Sequence, residues 1–253
     1  MVALAVGCHP DDIEFMMSGT LFLLRDAGWD VHYINVANGS CGTDRFPTEE
    51  IVRIRREEAH QAAAILGAVF HESLVNDLEV LYEQELIRRI TALVREVKPQ
   101  LVLTQSLEDY MEDHMNTARL TVTAAFCRGM LNYRSIPERP IWGGDLMIYH
   151  ATPHLLTDGM RRPIAPELFV DVGEVIRRKR DMLASHKSQK EWLDHSQGFD
   201  SYLTTMEDVA AAVGRISRRF THAEGWRRHS HVGFSARDAD PLAEALGASV
   251  AVR

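Results

Sequence analysis

The sequence has only three cysteines in 253 residues, and no two of them have the CxxC spacing. So few cysteines, in an odd number, exclude a disulfide scaffold and are typical of a protein in a reducing compartment. The chain also lacks an apolar stretch long enough to span a bilayer, and no basic segment with a cleavage site precedes the first apolar run. We therefore expect a cytoplasmic protein that has no membrane partner.

Positive charge is scarce as well. The chain has 28 Lys and Arg residues against 36 Asp and Glu residues, which gives a formal net charge of −8. Nucleic-acid-binding proteins usually carry a basic surplus, so we expect no nucleic-acid partner. No GxGxxG motif follows the first apolar run, and a phosphate there would meet Asp11 and Asp12. A nucleotide-binding α/β protein is therefore the less favoured alternative.

Apolar runs and helical periods alternate in the first half of the chain. The apolar runs are residues 2–7, 31–37, 69–74 and 100–104. The segments with helical periodicity are residues 13–26, 49–66 and 81–97. Strands and helices that alternate at this spacing predict βαβ units and a mostly parallel sheet. The sequence thus predicts an α/β fold with a Rossmann-like, mostly parallel sheet flanked by helices.

The second half of the chain is less regular. Its predicted helices are residues 116–130, 172–185 and 206–220, and its predicted strands are residues 146–150 and 168–172. No linker rich in Gly, Pro or Ser separates the two halves. We expect a single domain over residues 1–253, with an α/β core at 1–130 and a loop-rich C-terminal elaboration at 131–253.

The segment His9-Pro10-Asp11-Asp12 follows the first predicted strand directly. In open α/β sheets, ligands and catalytic groups gather at the carboxyl ends of the strands. Two adjacent carboxylates repel each other at such a site unless a positive charge lies between them. One aspartate is explained by helix capping, but a histidine beside two aspartates is not. We therefore predict that His9 and Asp12 hold a divalent metal, while Asp11 faces a bound water.

A second acidic segment, residues 106–114, follows the fourth predicted strand and ends in Asp113-His114. An acidic loop by itself is typical of a solvated turn. Beside the first motif, however, it supplies a third protein ligand. A catalytic zinc ion has three protein ligands and one open position for water or substrate. His114 is the predicted third ligand. Asp113 is predicted to orient an imidazole from behind.

Several further segments occur in the order typical of one family. They are residues 7–14 (GCHPDDIE), 38–43 (NGSCGT), 55–59 (RREEA), 113–114 (DH), 185–189 (SHKSQ) and 223–226 (AEGW). Together they resemble the PIG-L/LmbE-like family of zinc-dependent N-deacetylases, over residues 2 to about 225. The first segment is specific to the family, whereas each of the later ones is weak on its own.

The resemblance implies a zinc site formed by His9, Asp12 and His114, although this set of ligands also suits other divalent first-row metals. It also implies that Asp11 is the general base. We class Asp11 and Asp113 as the catalytic residues. The implied reaction is removal of an N-acyl group from an amino sugar or a related glycoside or amide. The acyl group that the resemblance implies is acetyl. The implied partner is a small N-acylated molecule, and the implied assembly is a homo-oligomer.

Four residues are predicted to contact the substrate. Arg55 aligns with the arginine of the family's helix, although a salt bridge at the helix surface is an alternative for it. Gly39 lies in the glycine-bearing loop beside the site, and Tyr110 and Met111 precede the Asp-His pair. Core packing is the default interpretation for the tryptophans, with a sugar-binding wall as the alternative. The candidates for that wall are Trp142, Trp192 and Trp226.

Met111 departs from the family pattern, which commonly has His-x-Asp-His where this chain has Met111-Glu112-Asp113-His114. A thioether cannot donate the hydrogen bond or proton of an imidazole. Either another residue replaces the imidazole, or turnover is slower, or the substrate differs; the remaining alternative is a catalytically altered metal-binding homologue. The candidate replacements are Tyr110, His150, His186 and His229. Other histidines in paired patterns, such as His154, are interpreted as surface residues.

Overall fold

The computed structural model describes residues 1–197 and 201–253. The strands are β1 (Val2–Gly7), β2 (Asp30–Asn35), β3 (Val69–His71), β4 (Leu101–Thr104), β5 (Met147–Ala151), β6 (Leu168–Asp171), β7 (Ala223–Arg228) and β8 (Val250–Val252). The helices are α1 (Asp12–Met16), α2 (Ser18–Asp26), α3 (Thr48–Leu66), α4 (Gln84–Val97), α5 (Glu112–Cys127), α6 (Ile176–Leu183), α7 (Lys187–Gln197), α8 (Ser201–Ser217) and α9 (Pro241–Leu246).

The eight strands form one sheet in the order β3-β2-β1-β4-β5-β7-β6-β8. The first five strands along the chain are parallel, and the last three extend the sheet by antiparallel pairing. This mostly parallel α/β sheet confirms the predicted fold class. Because β1 pairs with β2 on one side and with β4 on the other, the winding reverses between β1 and β4. A crevice at the carboxyl ends of these two strands is the usual ligand site of such sheets.

Both faces of the sheet are buried. Alternate residues of β1 point to opposite sides, so Ala3 and Ala5 belong to one apolar cluster, whereas Leu4 and Val6 belong to another. The first cluster includes side chains from α1, α2, α3, α6 and α8, and the second includes side chains from α4 and α5. Burial on both faces explains why the central strands β1 and β4 are nearly continuous apolar runs in the sequence.

The predicted helix at residues 13–26 is two helices. The backbone at Met17 leaves the helical region, with φ −127°, and α2 begins directly after it. The amides of Gly19 and Thr20 donate to the buried carboxylate of Glu224, over 2.8 and 2.7 Å. A carboxylate at a helix N-terminus satisfies amides that have no partner within the helix. The apolar pattern could not reveal this break, because Glu224 is distant in sequence.

The later helices also differ from their predicted bounds. α5 begins at Glu112, earlier than the predicted start at residue 116, so Asp113 and His114 lie in its first turn. α8 begins at Ser201 and not at residue 206. The C-terminal part contains the irregular segments 128–146 and 152–167, as predicted, but it also contributes four strands to the sheet. Within the described residues, no helix is both long and apolar enough to cross a membrane.

Candidate metal centre and active site

A tight turn at the end of β1 brings the first motif together. The amide of Asp12 donates to the carbonyl of His9 over 3.2 Å, and the amide of His9 donates to Asp12 Oδ2 over 2.7 Å. Asp11, between them, has φ 119°, a conformation that residues other than glycine rarely adopt. Strain of this kind is concentrated at functional sites, where the surrounding structure enforces it. The turn directs the side chains of His9, Asp11 and Asp12 to one edge of the sheet.

The three predicted metal ligands converge at this edge. Asp12 Oδ2 lies 3.5 Å from His9 Nδ1 and 3.4 Å from His114 Nε2. The potential ligand atoms of His9, Asp12 and His114 all lie within 4.8 Å of one another. Two atoms that each bind one tetrahedral zinc ion at about 2.0–2.1 Å are about 3.4 Å apart. The observed spacings therefore fit a single divalent ion with one coordination position left for water or substrate.

Each imidazole turns its other nitrogen toward a carboxylate. His9 Nε2 lies 3.3 Å from Asp113 Oδ2, and His114 Nδ1 lies 3.2 Å from Asp109 Oδ1. Asp113 Oδ2 also accepts the amide of Leu78 over 2.7 Å. Metal-bound histidines are commonly held in this way, because the carboxylate fixes the ring orientation and the tautomer. The structure thus places Asp113 behind His9.

The carboxylate of Asp12 is suited to a cation. Burial would raise its pKa, but His114 and hydrogen bonds with His9 outweigh that effect and hold the pKa of Asp12 well below its ordinary value. Gln105, which follows β4, donates to the same oxygen through Nε2 over 2.9 Å. An ionised carboxylate between two imidazoles is a donor set that zinc and other divalent first-row metals accept.

A second cluster, Cys8, His9 and Asp113, also brings potential ligand atoms together. Burial raises the pKa of the Cys8 thiol to about 11, so the thiolate that a metal requires is scarce near neutral pH. We predict that Cys8→Ala leaves the bound metal unchanged, as measured by elemental analysis after gel filtration. The matched control is Cys127→Ala, a buried thiol outside the cluster. Metal loss in Cys8→Ala alone would place the metal in the second cluster.

Asp11 lies beside the triad and is bound from two sides. Tyr202 in α8 donates to Asp11 Oδ2 over 2.7 Å, and Arg55 Nη2 lies 3.5 Å from Oδ1. Burial raises the pKa of Asp11 above its ordinary value, although the charge of Arg55 partly offsets this. A carboxylate with a raised pKa is a stronger proton acceptor. Sequence reasoning missed Tyr202, since no motif connects α8 with the first strand.

Arg55 is buried in α3 and also donates to the carbonyl of Pro10. Its side chain passes directly over Gly39, where an added Cβ would lie 2.5 Å from Arg55 Cδ. Gly39 has φ 79°, so its lack of a side chain serves both the turn and the arginine. Asp77 holds the same loop by accepting the amides of Gly39 and Cys41, over 2.7 and 2.9 Å. Gly39 therefore supports Arg55 and is not among the residues that line the pocket.

These groups open into a cavity of about 530 Å³. Besides polar residues, apolar and aromatic side chains line this cavity: Phe15, Leu78, Tyr110, Met111, Leu155, Trp192, Leu193 and Tyr202. Tyr110 and Met111 thus lie where a substrate contact is predicted. Trp192 also lines the cavity, whereas Trp226 is fully buried and donates to Thr20 Oγ1 over 3.1 Å. Asp113 is not among the lining residues.

The candidate replacements for the missing imidazole lie elsewhere, except Tyr110. His186 is fully buried and lies 2.9 Å from Glu14 Oε1. His150 pairs with His229 over 3.0 Å, and both line a different cavity. In contrast, His154 lines the active-site cavity, although its sequence pattern is typical of the surface. The sequence offered no signal for His154, because its position depends on how the segment after β5 folds back.

Comparison with known proteins agrees with this architecture. Residues 4–125 match the model of the PIG-L family, described as GlcNAc-PI de-N-acetylase. A diacetylchitobiose deacetylase from Thermococcus kodakarensis is 29% identical over 231 residues, which cover 88% of this chain and 81% of that protein. The matched residues of the family model include the turn at the end of β1 and the start of α5.

Two solved structures share the fold at low sequence identity. The N,N'-diacetylchitobiose deacetylase from Pyrococcus horikoshii aligns with a TM-score of 0.76 and 22% identity, over 95% of this chain and 88% of that one. A 4-carboxy-2-hydroxymuconate hydratase from Pseudomonas putida KT2440 also aligns with a TM-score of 0.76, at 23% identity, over 94% of this chain and 98% of that one. The same fold therefore occurs in a deacetylase and in a hydratase.

Proposed function

The chain belongs to the PIG-L family of deacetylases, and from this premise we propose that it is a metal-dependent hydrolase that removes an N-acetyl group from an amino sugar or a related small amide. The observation that carries the proposal is the convergence of His9, Asp12 and His114 around one point, with the strained Asp11 beside it. We propose zinc as the metal. A divalent ion held there would lower the pKa of a water molecule and polarise the amide carbonyl.

Asp11 is proposed to move the proton. Its carboxylate takes a proton from the attacking water as the water oxygen bonds to the carbonyl carbon. The protonated side chain of Asp11 then returns this proton to the amide nitrogen as the C–N bond breaks. The products are the carboxylic acid released from the acyl group and a free amine. Burial raises the pKa of Asp11, so the group both accepts the proton readily and holds it until the amine leaves.

The neighbouring residues are proposed to hold these groups in place. Asp113 and Asp109 fix the imidazoles of His9 and His114 from behind. Arg55 and Tyr202 fix the two oxygens of Asp11. A catalytic group must be held within a fraction of an ångström of its productive position, so such supporting contacts affect the rate directly.

The lining of the cavity favours a substrate without negative charge. Arg55 is the only Lys or Arg among the lining residues that the structure describes, and it is already engaged by Asp11 and Pro10. The relative that acts as a hydratase is named for a carboxylated substrate. Apart from the proposed metal, the described lining of this cavity offers no unpaired Lys or Arg, so it binds several carboxylates poorly. The aromatic lining of the cavity in this chain instead suits the apolar face of a sugar ring. This difference favours amide hydrolysis over hydration.

Substrate assays test the proposal. The zinc-loaded protein is incubated with N-acetylglucosamine and N,N'-diacetylchitobiose, and released acetate and free amine are quantified. In parallel, 4-carboxy-2-hydroxymuconate is followed by its ultraviolet absorbance. We expect equal amounts of acetate and amine, with no consumption of the unsaturated acid. Consumption of the acid without acetate release would identify a hydratase, and inertness toward a broad panel of amides would identify a metal-binding homologue without catalysis.

The hydroxyl of Tyr202 gives a prediction about pH. Its hydrogen bond lowers the pKa of Asp11, against the raising effect of burial. Only ionised Asp11 accepts a proton, so activity falls as pH drops through its pKa. Tyr202→Phe removes the hydrogen bond, and the acid limb of the kcat profile should therefore shift to higher pH. Tyr82→Phe, at an exposed tyrosine outside the cavity, is the control. An unshifted limb would exclude Asp11 as the titrating base.

A further inference from the structure

His154 lines the active-site cavity together with Asp11, Asp12 and His114. Its ring stacks on Phe15, with ring centroids 4.4 Å apart and planes 15° apart. The ring centroid of Phe15 in turn lies 6.3 Å from that of Tyr202, whose hydroxyl donates a hydrogen bond to Asp11. These contacts place His154 beside Phe15 in the cavity wall, where the charges of Asp12 and His114 act on its ring. No hydrogen bond joins its ring to another residue in the described part of the chain.

Met111 leaves the site without a side-chain donor at a position where the resemblance to the family implies an imidazole. The sulfur of Met111 cannot donate a hydrogen bond to an oxygen that gains negative charge. His186 and His150 cannot replace this donor, because both are buried and paired outside the cavity. Within the described residues that line the cavity, His154 is the one histidine besides the two metal ligands.

Resting on the proposed function, we propose that His154 is a catalytic residue whose N–H donates a hydrogen bond to the carbonyl oxygen of the scissile amide, in place of the imidazole that Met111 lacks. Burial lowers the pKa of His154 and so favours the neutral ring, which offers one N–H donor and one acceptor nitrogen. A neutral imidazole stabilises a developing oxyanion without delivering a proton. His154 thus complements Asp11, which moves the proton.

The stacking on Phe15 supports this assignment over Tyr110. Tyr110 also lines the cavity, but its side chain is 54% exposed and its ring meets His114 edge-on. A donor stabilises a transition state best when it is fixed before the reaction, because it then needs no reorganisation. The stacked ring of His154 is held in this way, whereas an exposed tyrosine is not.

Two substitutions at this position separate hydrogen bonding from packing. His154→Phe keeps an aromatic ring on Phe15 but removes the N–H, whereas His154→Gln keeps an N–H donor. We expect His154→Phe to lower kcat for N-acetylglucosamine by about 10²-fold, with KM changed less than about threefold, since oxyanion donors act mainly on kcat. His154→Gln should retain more activity than His154→Phe. Adding Met111→His to His154→Phe should restore part of the lost kcat.

The control is His60→Phe, because His60 is an exposed histidine that also contacts a phenylalanine ring, at 5.0 Å from Phe70. It should leave kcat, metal content and the melting temperature unchanged. A readout independent of turnover is the affinity for methylphosphonate, measured by calorimetry on zinc-loaded protein. The phosphonate oxygens present negative charge as the reacting carbonyl oxygen does, so His154→Phe should weaken this binding about tenfold.

The outcomes distinguish the two proposals. Unchanged kcat and methylphosphonate affinity in His154→Phe, with loss of both in Tyr110→Phe, would assign the donor to Tyr110 and overturn the role of His154. If the wild type hydrolyses no amide, the proposed function fails, and methylphosphonate affinity alone then decides whether His154 faces the anion. Loss of bound zinc in His154→Phe would also overturn the inference, because the residue would then act on the metal centre.

Discussion

Asp11→Asn should lower kcat for N-acetylglucosamine by about 10³-fold, within the range that general base catalysis supplies, while the protein keeps its metal and its fold. Asparagine has nearly the shape of aspartate, and it tolerates the positive φ of 119° at this position better than most residues. The amide oxygen still accepts the hydrogen bond from Tyr202, but the side chain no longer takes a proton from water. The measurement is steady-state acetate release, with metal content determined on the same samples.

The control for this variant is Asp44→Asn, at an exposed aspartate of the loop that follows β2. It should change kcat less than about twofold, because Asp44 is exposed and is not among the residues that line the cavity, and such charges contribute little. A kcat of Asp11→Asn within tenfold of the wild type would contradict the assignment of Asp11 as the base. Loss of metal from Asp11→Asn would instead indicate that this carboxylate is a ligand.

His114→Ala should abolish stable metal binding. It removes one of the three proposed ligands and leaves Asp12 and Asp109 without the imidazole between them. Loss of a residue that only orients a metal ligand weakens metal affinity by about 10- to 100-fold. Loss of His114 itself should weaken the affinity by more than this. The measurement is competition against a chromophoric chelator, followed by elemental analysis. Wild-type affinity in His114→Ala would refute the proposed triad.

Asp109→Asn and Asp113→Asn are the matched comparison for the metal site, since each keeps its imidazole but weakens the contact behind it. Both should weaken metal affinity by about 10- to 100-fold, so their effect should lie between the wild type and His114→Ala. If Asp113→Asn retained full metal affinity and nevertheless lost turnover, Asp113 would act on the substrate and not through His9.

The convergence of His9, Asp12 and His114 was predictable because these residues come after buried strands. β1 and β4 are recognisable as apolar runs, and the carboxyl ends of neighbouring parallel strands meet at one edge of the sheet. The residues after them, His9 to Asp12 and then His114, therefore had to lie close together. The family model that matches residues 4–125 is that of the family these motifs indicated, and the solved structures confirm the fold.

The rest of the site depends on contacts that no local pattern encodes. Tyr202 reaches Asp11 across 191 positions of the chain, and His154 reaches the cavity from an irregular segment after β5. Asp113 carries an ordinary helix-start signal, and only the structure reveals that its partner is His9 and not His114. β7 and β8 were missed as strands for a similar reason. β8 has only three residues, and β7 carries a Glu and two Arg residues, so neither is an apolar run; antiparallel pairing with strands distant in sequence gives both their structure.

The most direct test of zinc-dependent deacetylation is a zinc titration of the metal-free protein, with acetate release from N-acetylglucosamine followed at each step. Activity should rise linearly, reach its maximum at one zinc per chain and return to baseline when a chelator removes the metal. Acetate release that is independent of zinc would contradict the account. So would a protein that binds one zinc per chain at His9, Asp12 and His114 and releases no acetate from any amide.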